Sequence, residues 1–373
     1  MYKKQQLGQK TITWKSLNMR IGILTGGGDC PGLNAVIRAV TKSALIHYQA
    51  EVIGFRDGFR GLVDNDTIPL HYETVSNILN VGGTILGSAN RERFFGLKRD
   101  GTSSSNEGPD RTRDAAEVFR HHKLDRLVCI GGDGTLRIAH YLAKHADIPV
   151  IGVPKTIDND VAKTDMTFGF DSAVTTVTEA IDKLHTTARS HHRVMVVEVM
   201  GRTAGWIALY GGVAGGGDIL LLPEVPFSTE AICNKVLDRN RFGKRFSIVV
   251  AAEGAFPQPN DPLSGIEFHK SGGIGQHVTH EIEKRTGISS RVTVLGHLQR
   301  GGSPTPFDRI LGTRYGYSAT EAVIHSAPNV VICLNKGEMI PLPIEEVAGA
   351  PKLVPVDHPL LLAAQSVGSS IGI

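Results

Sequence analysis

Residues 127–144 read LVCIGGDGTLRIAHYLAK. The apolar run Leu127–Ile130 enters Gly131-Gly-Asp-Gly-Thr135, and a helical pattern follows from Leu136 to Lys144. A short apolar run closed by glycines and then a helical period predicts strand, tight turn and helix. The glycines leave room for a nucleotide across the backbone. Asp133 puts a hard oxygen ligand there, of the kind Mg2+ takes together with substrate phosphates. The plainer alternative is an Asp that caps the next helix.

The unit repeats outward in both directions. Arg20–Leu24 runs into Thr25-Gly-Gly-Gly-Asp29 and a helix over Leu33–Leu45, and Glu51–Phe55 is a further strand. Val150–Val153 leads into Pro154-Lys-Thr-Ile-Asp-Asn-Asp160. A helix follows over Asp171–Thr187, then strands at Val194–Val199, Asp218–Leu222, Ser247–Ala252 and Val292–Gly296. Apolar runs alternating with helices predict an α/β fold of two lobes, each with a mainly parallel sheet flanked by helices. Such sheets bind ligands at the carboxyl ends of their strands, so a cleft between the lobes is the expected site. The expected division is an extension at 1–18, a donor-binding and catalytic lobe at 19–160 to which C-terminal segments return, a second lobe at 161–326, and a C-terminal segment at 327–373. Gly101–Gly108 and Phe256–Gly273 read as loops. The stretch after Pro341 is Pro-rich, then apolar, and no element is assigned to it.

Composition narrows the function. The chain has 373 residues, 41% hydrophobic and 21% charged, enough for a large core. Lys plus Arg is 40 and Asp plus Glu is 37, a net +3, which argues against a global field for nucleic acid. Cys30, Cys129, Cys233 and Cys333 are far apart, with no zinc or redox spacing. They read as buried small side chains in a reducing, cytoplasmic setting. No apolar run approaches the roughly 18 residues a membrane span needs, and the polar start does not read as a secretory signal.

Three kinds of loop carry chemistry. Gly26–Gly28, between strand and helix, permits close approach of a phosphate, although such turns also serve tight packing. Thr156-Ile-Asp-Asn-Asp160 places two carboxylates two residues apart after a strand. One can take a hydroxyl proton while the other orients it or holds a metal-bound water, as phosphoryl transfer requires. A capped turn is the alternative. Arg193, Arg202, Arg291 and Arg300 read as recurring at later strand ends, and Arg suits bidentate phosphate recognition. A phosphorylated donor and a phosphorylated acceptor account for all three.

These residues resemble one family, the 6-phosphofructokinases. The resemblance runs from Met19 to Ser326 and rests on ILTGGGDCPGLNAVIRAV at Ile23, GGDGT at Gly131, PKTIDND at Pro154, TFGFDSAV at Thr167, EVMGRTAGW at Glu198 and GHLQRGGSPTPFDR at Gly296. It implies transfer of phosphate from ATP to the 1-hydroxyl of fructose 6-phosphate in glycolysis, with Mg2+ as cofactor, in a homotetramer or homodimer. Asp158 is then the base. Thr156 and Asp160 position substrate and metal, and Arg202 stabilises the transferring phosphoryl group. Gly28 contacts donor phosphate through its backbone, Asp133 helps hold Mg2+, and Gly132, Gly134, Thr135 and Lys155 complete the donor site. Met200, Gly201, Glu253, His297 and Arg300 bind the sugar phosphate, and Arg193 and Arg291 reach its 6-phosphate across a subunit boundary.

Pyrophosphate is the alternative donor. Gly134 leaves space where pyrophosphate users of the family carry a carboxylate, whereas Lys155 is shared with them. Asn90 replaces an arginine that bridges the two phosphates, with Arg91 and Arg93 close by. Lys42 and His185 replace arginines of a basic effector pocket, leaving Arg38. GGDGT also marks kinases of NAD and of diacylglycerol, against which the C-terminal sugar-phosphate segment argues. A non-catalytic sugar-phosphate-binding subunit is the remaining alternative.

Overall fold

The computed structural model describes residues 19–89, 110–349 and 351–373. The 1–18 extension, the Gly101–Gly108 loop, and Asn90, Arg91 and Arg93 lie outside the described residues. The strands are β1 (Arg20–Thr25), β2 (Glu51–Phe55), β3 (Thr67–Leu70), β4 (Arg126–Gly131), β5 (Val150–Pro154), β6 (Val194–Val199), β7 (Ile219–Leu221), β8 (Ser247–Ala252), β9 (Ser290–Val294), β10 (Val330–Asn335) and β11 (Glu338–Pro343). One seven-stranded sheet has the order β11-β10-β5-β4-β1-β2-β3, and one four-stranded sheet has the order β7-β8-β6-β9. All pairs are parallel except β2–β3 and β10–β11 at the two edges of the larger sheet.

Burial on both faces explains why the central strands are continuous apolar runs. Ile21, Ile23, Val128, Ile130, Ile151 and Val153 share one face with the helices Leu33–Tyr48 and Pro306–His325. Leu127, Cys129, Val150 and Cys333 face the opposite way, with Leu136, Leu142 and Phe119. The first of these cores continues through the helix Phe170–His191 to Met195, Val197 and Val250 of the smaller sheet, so one apolar body joins the two lobes. The four cysteines are free thiols and buried.

Three departures from expectation have physical reasons. The helix expected from Leu136 begins at Asp133, which therefore sits in its first turn rather than capping it, with Gly132 at the cap position. β3 and β11 carry Pro69, Pro341 and Pro343, which only an outermost strand tolerates. β9 lies slightly earlier than expected, and Gly296–Arg300 forms a short 3₁₀ turn.

Sheet register then builds the site. Gly131 pairs with Pro154. The Gly26 N–H donates to the Ile130 carbonyl at 2.9 Å, and the Lys155 N–H to the Gly131 carbonyl at 2.9 Å. The glycine turn after β1, the GGDGT turn after β4 and the TIDND turn after β5 are thereby laced edge to edge.

The helix Pro306–His325 crosses Leu33–Tyr48 at small residues. A Cβ on Gly316 would stand 2.6 Å from Ala39 Cβ and 2.7 Å from the Val36 carbonyl oxygen. Gly316→Val should therefore separate two core helices and cost about 1–3 kcal/mol, as overpacking does. A lowered calorimetric unfolding temperature is the expected result, and an unchanged one would show that the helices shift apart freely.

Candidate active site

The TIDND turn is the centre. Thr156 Oγ1 accepts the Asp158 N–H at 3.0 Å, and the same side chain hydrogen-bonds the Asp160 carboxylate. Asn159, between the two carboxylates, adopts a left-handed φ of 50°, which Asn tolerates better than most residues. Its Oδ1 accepts the Thr167 N–H at 3.1 Å, and Thr167 Oγ1 donates to the Thr156 carbonyl at 2.8 Å. Asp158 is 4% exposed, and its buried Oδ1 has no hydrogen-bond partner among the described residues. Burial, reinforced by the Asp160 charge, pushes the Asp158 carboxyl up to about 7, while Arg300 and Arg202 act in the opposite direction. Burial likewise raises Asp160, and the Asp133 charge adds to the effect, so all three carboxylates face one region.

The donor side is made by the first lobe. Thr135 is buried between the two glycine turns. A Cβ on Gly26 would stand 2.6 Å from its hydroxyl, and one on Gly131 would overlap its side chain. Nothing lies within 4 Å of a Cβ placed on Gly134, so that position borders open space. Asp133 receives the Arg137 guanidinium and the Gly349 N–H, the latter at 2.9 Å. Lys155 is 3% exposed, and its ammonium donates to the Gly28 carbonyl. It thus ties the Gly28 turn to the end of β5, within electrostatic reach of Asp158 and Arg300. Burial lowers its proton affinity.

The second lobe supplies the facing wall. Arg202 holds a φ of 50°, and its N–H donates to Glu253 Oε1 at 3.0 Å. The chain at Gly254 passes so close to the Arg202 carbonyl that a side chain there would collide with it. Arg300 Nη1 donates to the Asp29 carbonyl at 3.2 Å, and a Cβ on Gly28 would stand 2.6 Å from it. Arg300 thus touches the donor-side turn as well as facing Asp158. His297 is exposed on the same 3₁₀ turn. The Met200 N–H, preceding Gly201, donates to Gln299 Oε1 at 3.2 Å.

The four arginines do not share one end of the sheet. Arg202 and Arg300 follow β6 and β9, at the carboxyl ends beside Asp158. Arg193 precedes β6, and Arg291 is the second residue of β9, so both lie at the opposite end of the smaller sheet. The expectation of a common topological position is corrected accordingly: within one chain only two of these arginines reach the cleft.

Two further residues escaped the sequence reading. Gln299 is fully buried and ties the Met200 turn to the Gly296 carbonyl, its Nε2 donating there at 3.0 Å; it lay unremarked inside the quoted GHLQRGG. Lys352 comes from the unassigned tail. Its ammonium donates to Asn159 Oδ1 at 3.1 Å and to the carbonyls of Thr164 and Asp165 at 2.8 and 3.0 Å. Burial pushes it down to about 8, against the charges of Asp165 and Asp160.

Among the described residues no helix is long and apolar enough to cross a membrane. The family model described as Phosphofructokinase matches residues 20–323. An ATP-dependent 6-phosphofructokinase of Spirochaeta thermophila is 48% identical over 358 residues, covering 94% of this chain and 97% of that one. ATP-dependent 6-phosphofructokinase 3 of Bacteroides thetaiotaomicron is 47% identical, covering 95% and 100%. Among solved structures, Pichia pastoris phosphofructokinase in the T-state superposes with a TM-score of 0.77 at 32% identity, covering 89% of this chain and 35% of the larger one. A pyrophosphate-dependent phosphofructokinase from Marinobacter aquaeolei has the same TM-score at 22% identity over 95% and 88%, which speaks for the fold alone. The turns that converge on Asp158 all lie inside the matched segment, and on that match and these identities the chain belongs to the phosphofructokinase family.

Proposed function

We propose that this chain transfers the terminal phosphoryl group of ATP to the 1-hydroxyl of D-fructose 6-phosphate, giving fructose 1,6-bisphosphate and ADP. The observation that carries the reading is Asp158: a buried carboxylate with an unpartnered oxygen, poised near neutral pH, between two arginines of the facing lobe. Its oxygen accepts the hydroxyl proton as the sugar oxygen bonds to phosphorus and the bond from phosphorus to the ADP oxygen breaks. Arg202 offsets charge on the phosphoryl group in flight. Thr156 and Asp160 hold the Asp158 turn in register, and Met200, Gly201, Glu253, His297 and Arg300 surround the sugar phosphate. Gly28, Gly132, Gly134 and Thr135 receive the donor.

ATP is favoured by the open space at Gly134 and by the withdrawal of Lys155 onto the Gly28 carbonyl. The names of the relatives at 47–48% identity agree. Mg2+ fits this donor set in its usual manner, with few protein ligands and the rest from phosphates. Asp133, whose negative charge reaches Asp160 and raises its proton affinity, is the residue that would hold it. When bound, the ion neutralises charge on the donor phosphates. Arg193 and Arg291 serve a neighbouring copy, Arg291 on the outermost strand β9 and Arg193 just before the adjacent β6, so that the working unit is a homo-oligomer.

Four measurements test this reading. Asp158→Asn should lower kcat about a thousandfold, within the range for general bases, with the KM values little changed. In the unsubstituted enzyme, log kcat/KM for fructose 6-phosphate should fall below about pH 7 as Asp158 becomes protonated and can no longer accept the proton. Near-normal turnover of the variant, or a flat acid limb, refutes the base. Side-by-side kcat/KM values should favour ATP over pyrophosphate, and Gly134→Asp should depress the ATP value selectively; a preference for pyrophosphate reverses the donor assignment. Arg291→Ala and Asp158→Asn, each inactive alone, should recover part of the activity when their subunits are mixed and reassembled. No recovery, with hybrids demonstrated, would place Arg291 outside a shared site.

A further inference from the structure

Gly349 and residues 351–354 lie beyond the segment matched by the family model, yet they bond to the turns that carry Asp133, Asp160 and Arg202. The Gly349 N–H bonds Asp133, and Pro351 pairs with Val161 in an antiparallel bridge. The Lys352 N–H donates to the Asp160 carbonyl at 2.7 Å. The Lys352 carbonyl accepts the Trp206 indole N–H at 2.7 Å, and the Val354 N–H donates to Glu224 Oε1 at 2.8 Å. Glu224 in turn accepts the Gly205 N–H at 2.9 Å, in the turn that carries Arg202. The strap is therefore fastened to the donor turn, the catalytic turn and the facing lobe in succession.

Among the described residues of this strap, Lys352 is the one whose side chain hydrogen-bonds the catalytic turn. Its ammonium has three protons and meets three acceptors: Asn159 Oδ1, the Thr164 carbonyl and the Asp165 carbonyl. Asn159 is held in a left-handed conformation between Asp158 and Asp160, so anchoring its side chain restrains the backbone from which both carboxylates leave. Thr167 fixes Asn159 Oδ1 from one side and Lys352 from the other. Removing one of two anchors on a strained residue lets the turn relax, and small displacements of a reacting group can cost about a hundredfold in rate.

We propose that Lys352 is a positioning residue for phosphoryl transfer, acting through Asn159 to set the Asp158–Asp160 turn. The proposal rests on the reading of Asp158 as base. It predicts an effect on kcat rather than on substrate affinity, because Lys352 touches neither the donor-side glycines nor the sugar-side residues.

The test uses the full chain. Lys352→Met should lower kcat about 10- to 100-fold with both KM values within about twofold, and Lys352→Arg should restore much of the loss. In an Asn159→Ala background, Lys352→Met should cause little further loss, the mark of two residues acting as one. Hydrogen exchange followed by mass spectrometry should show faster exchange over residues 156–160 in Lys352→Met, with the helix Ile274–Thr286 unaffected. Glu224→Ala, which removes the acceptor of the Val354 N–H and loosens the strap at its far end, separates general loosening from positioning and should leave exchange over 156–160 unchanged. Losses from Lys352→Met and Asn159→Ala that multiply in full, a rise in KM at constant kcat, or unchanged exchange over 156–160 would each overturn the proposal. If the unsubstituted protein turns over fructose 6-phosphate with neither donor, the proposed function fails by itself. The exchange comparison then still decides whether Lys352 holds the turn.

Discussion

Two carboxylates two residues apart, Asp158 and Asp160, are taken out of water at the end of a buried parallel strand, and the site depends on how that burial is tolerated. An isolated buried carboxylate is costly, and two together repel. The structure meets the cost with positive charge: Lys155 nearby, Arg202 and Arg300 from the second lobe and Lys352 from the tail. Partial compensation leaves Asp158 near neutrality rather than strongly acidic, which suits a group that must gain and lose a proton. Full neutralisation by a close, bidentate partner would make it a poor base. The orphaned oxygen is thus a consequence of how the cations are placed.

That constraint also ties the two lobes together. The first sheet holds the carboxylates and the glycine turns, while its compensating guanidiniums sit on the second. Arg300 closes the gap by bonding the Asp29 carbonyl, and Arg202 is locked by Glu253 from the neighbouring strand end. Beneath them, the continuous apolar contact through the helix Phe170–His191 keeps the two sheets at a set separation. Packing therefore positions charge, and burial together with that charge sets the proton affinity of Asp158.

The parts legible in the sequence were those written in local chemistry. Glycine runs after apolar strands, and the two carboxylates of TIDND, announce themselves within a few residues. The edge strands β3 and β11 were not legible, because their prolines imitate loop and only their place at a sheet margin makes them strands. The arginines show a different failure. Arg193 stands immediately before an apolar run and Arg202 just after it, so strand direction already separates them; composition alone does not. Lys352 had no local signal at all. Its partner Asn159 is 193 residues away, and nothing in the sequence around either residue names the other.

The donor question turns on the same distinction between a residue's presence and its placement. A lysine in PKTIDND, read as a letter, speaks for pyrophosphate, since a cation in the cleft would match the denser charge of a small donor. In the folded chain that cation is spent on the Gly28 carbonyl beneath the glycine turn, in a buried setting that lowers its proton affinity. Its effect on a donor then passes through the backbone it supports. Gly134, by contrast, acts through what it lacks: with nothing nearby, the first turn of the helix stays open to a larger ligand. A withdrawn charge and an unfilled space both favour a nucleotide, and neither is visible until the turns after β1, β4 and β5 are set side by side.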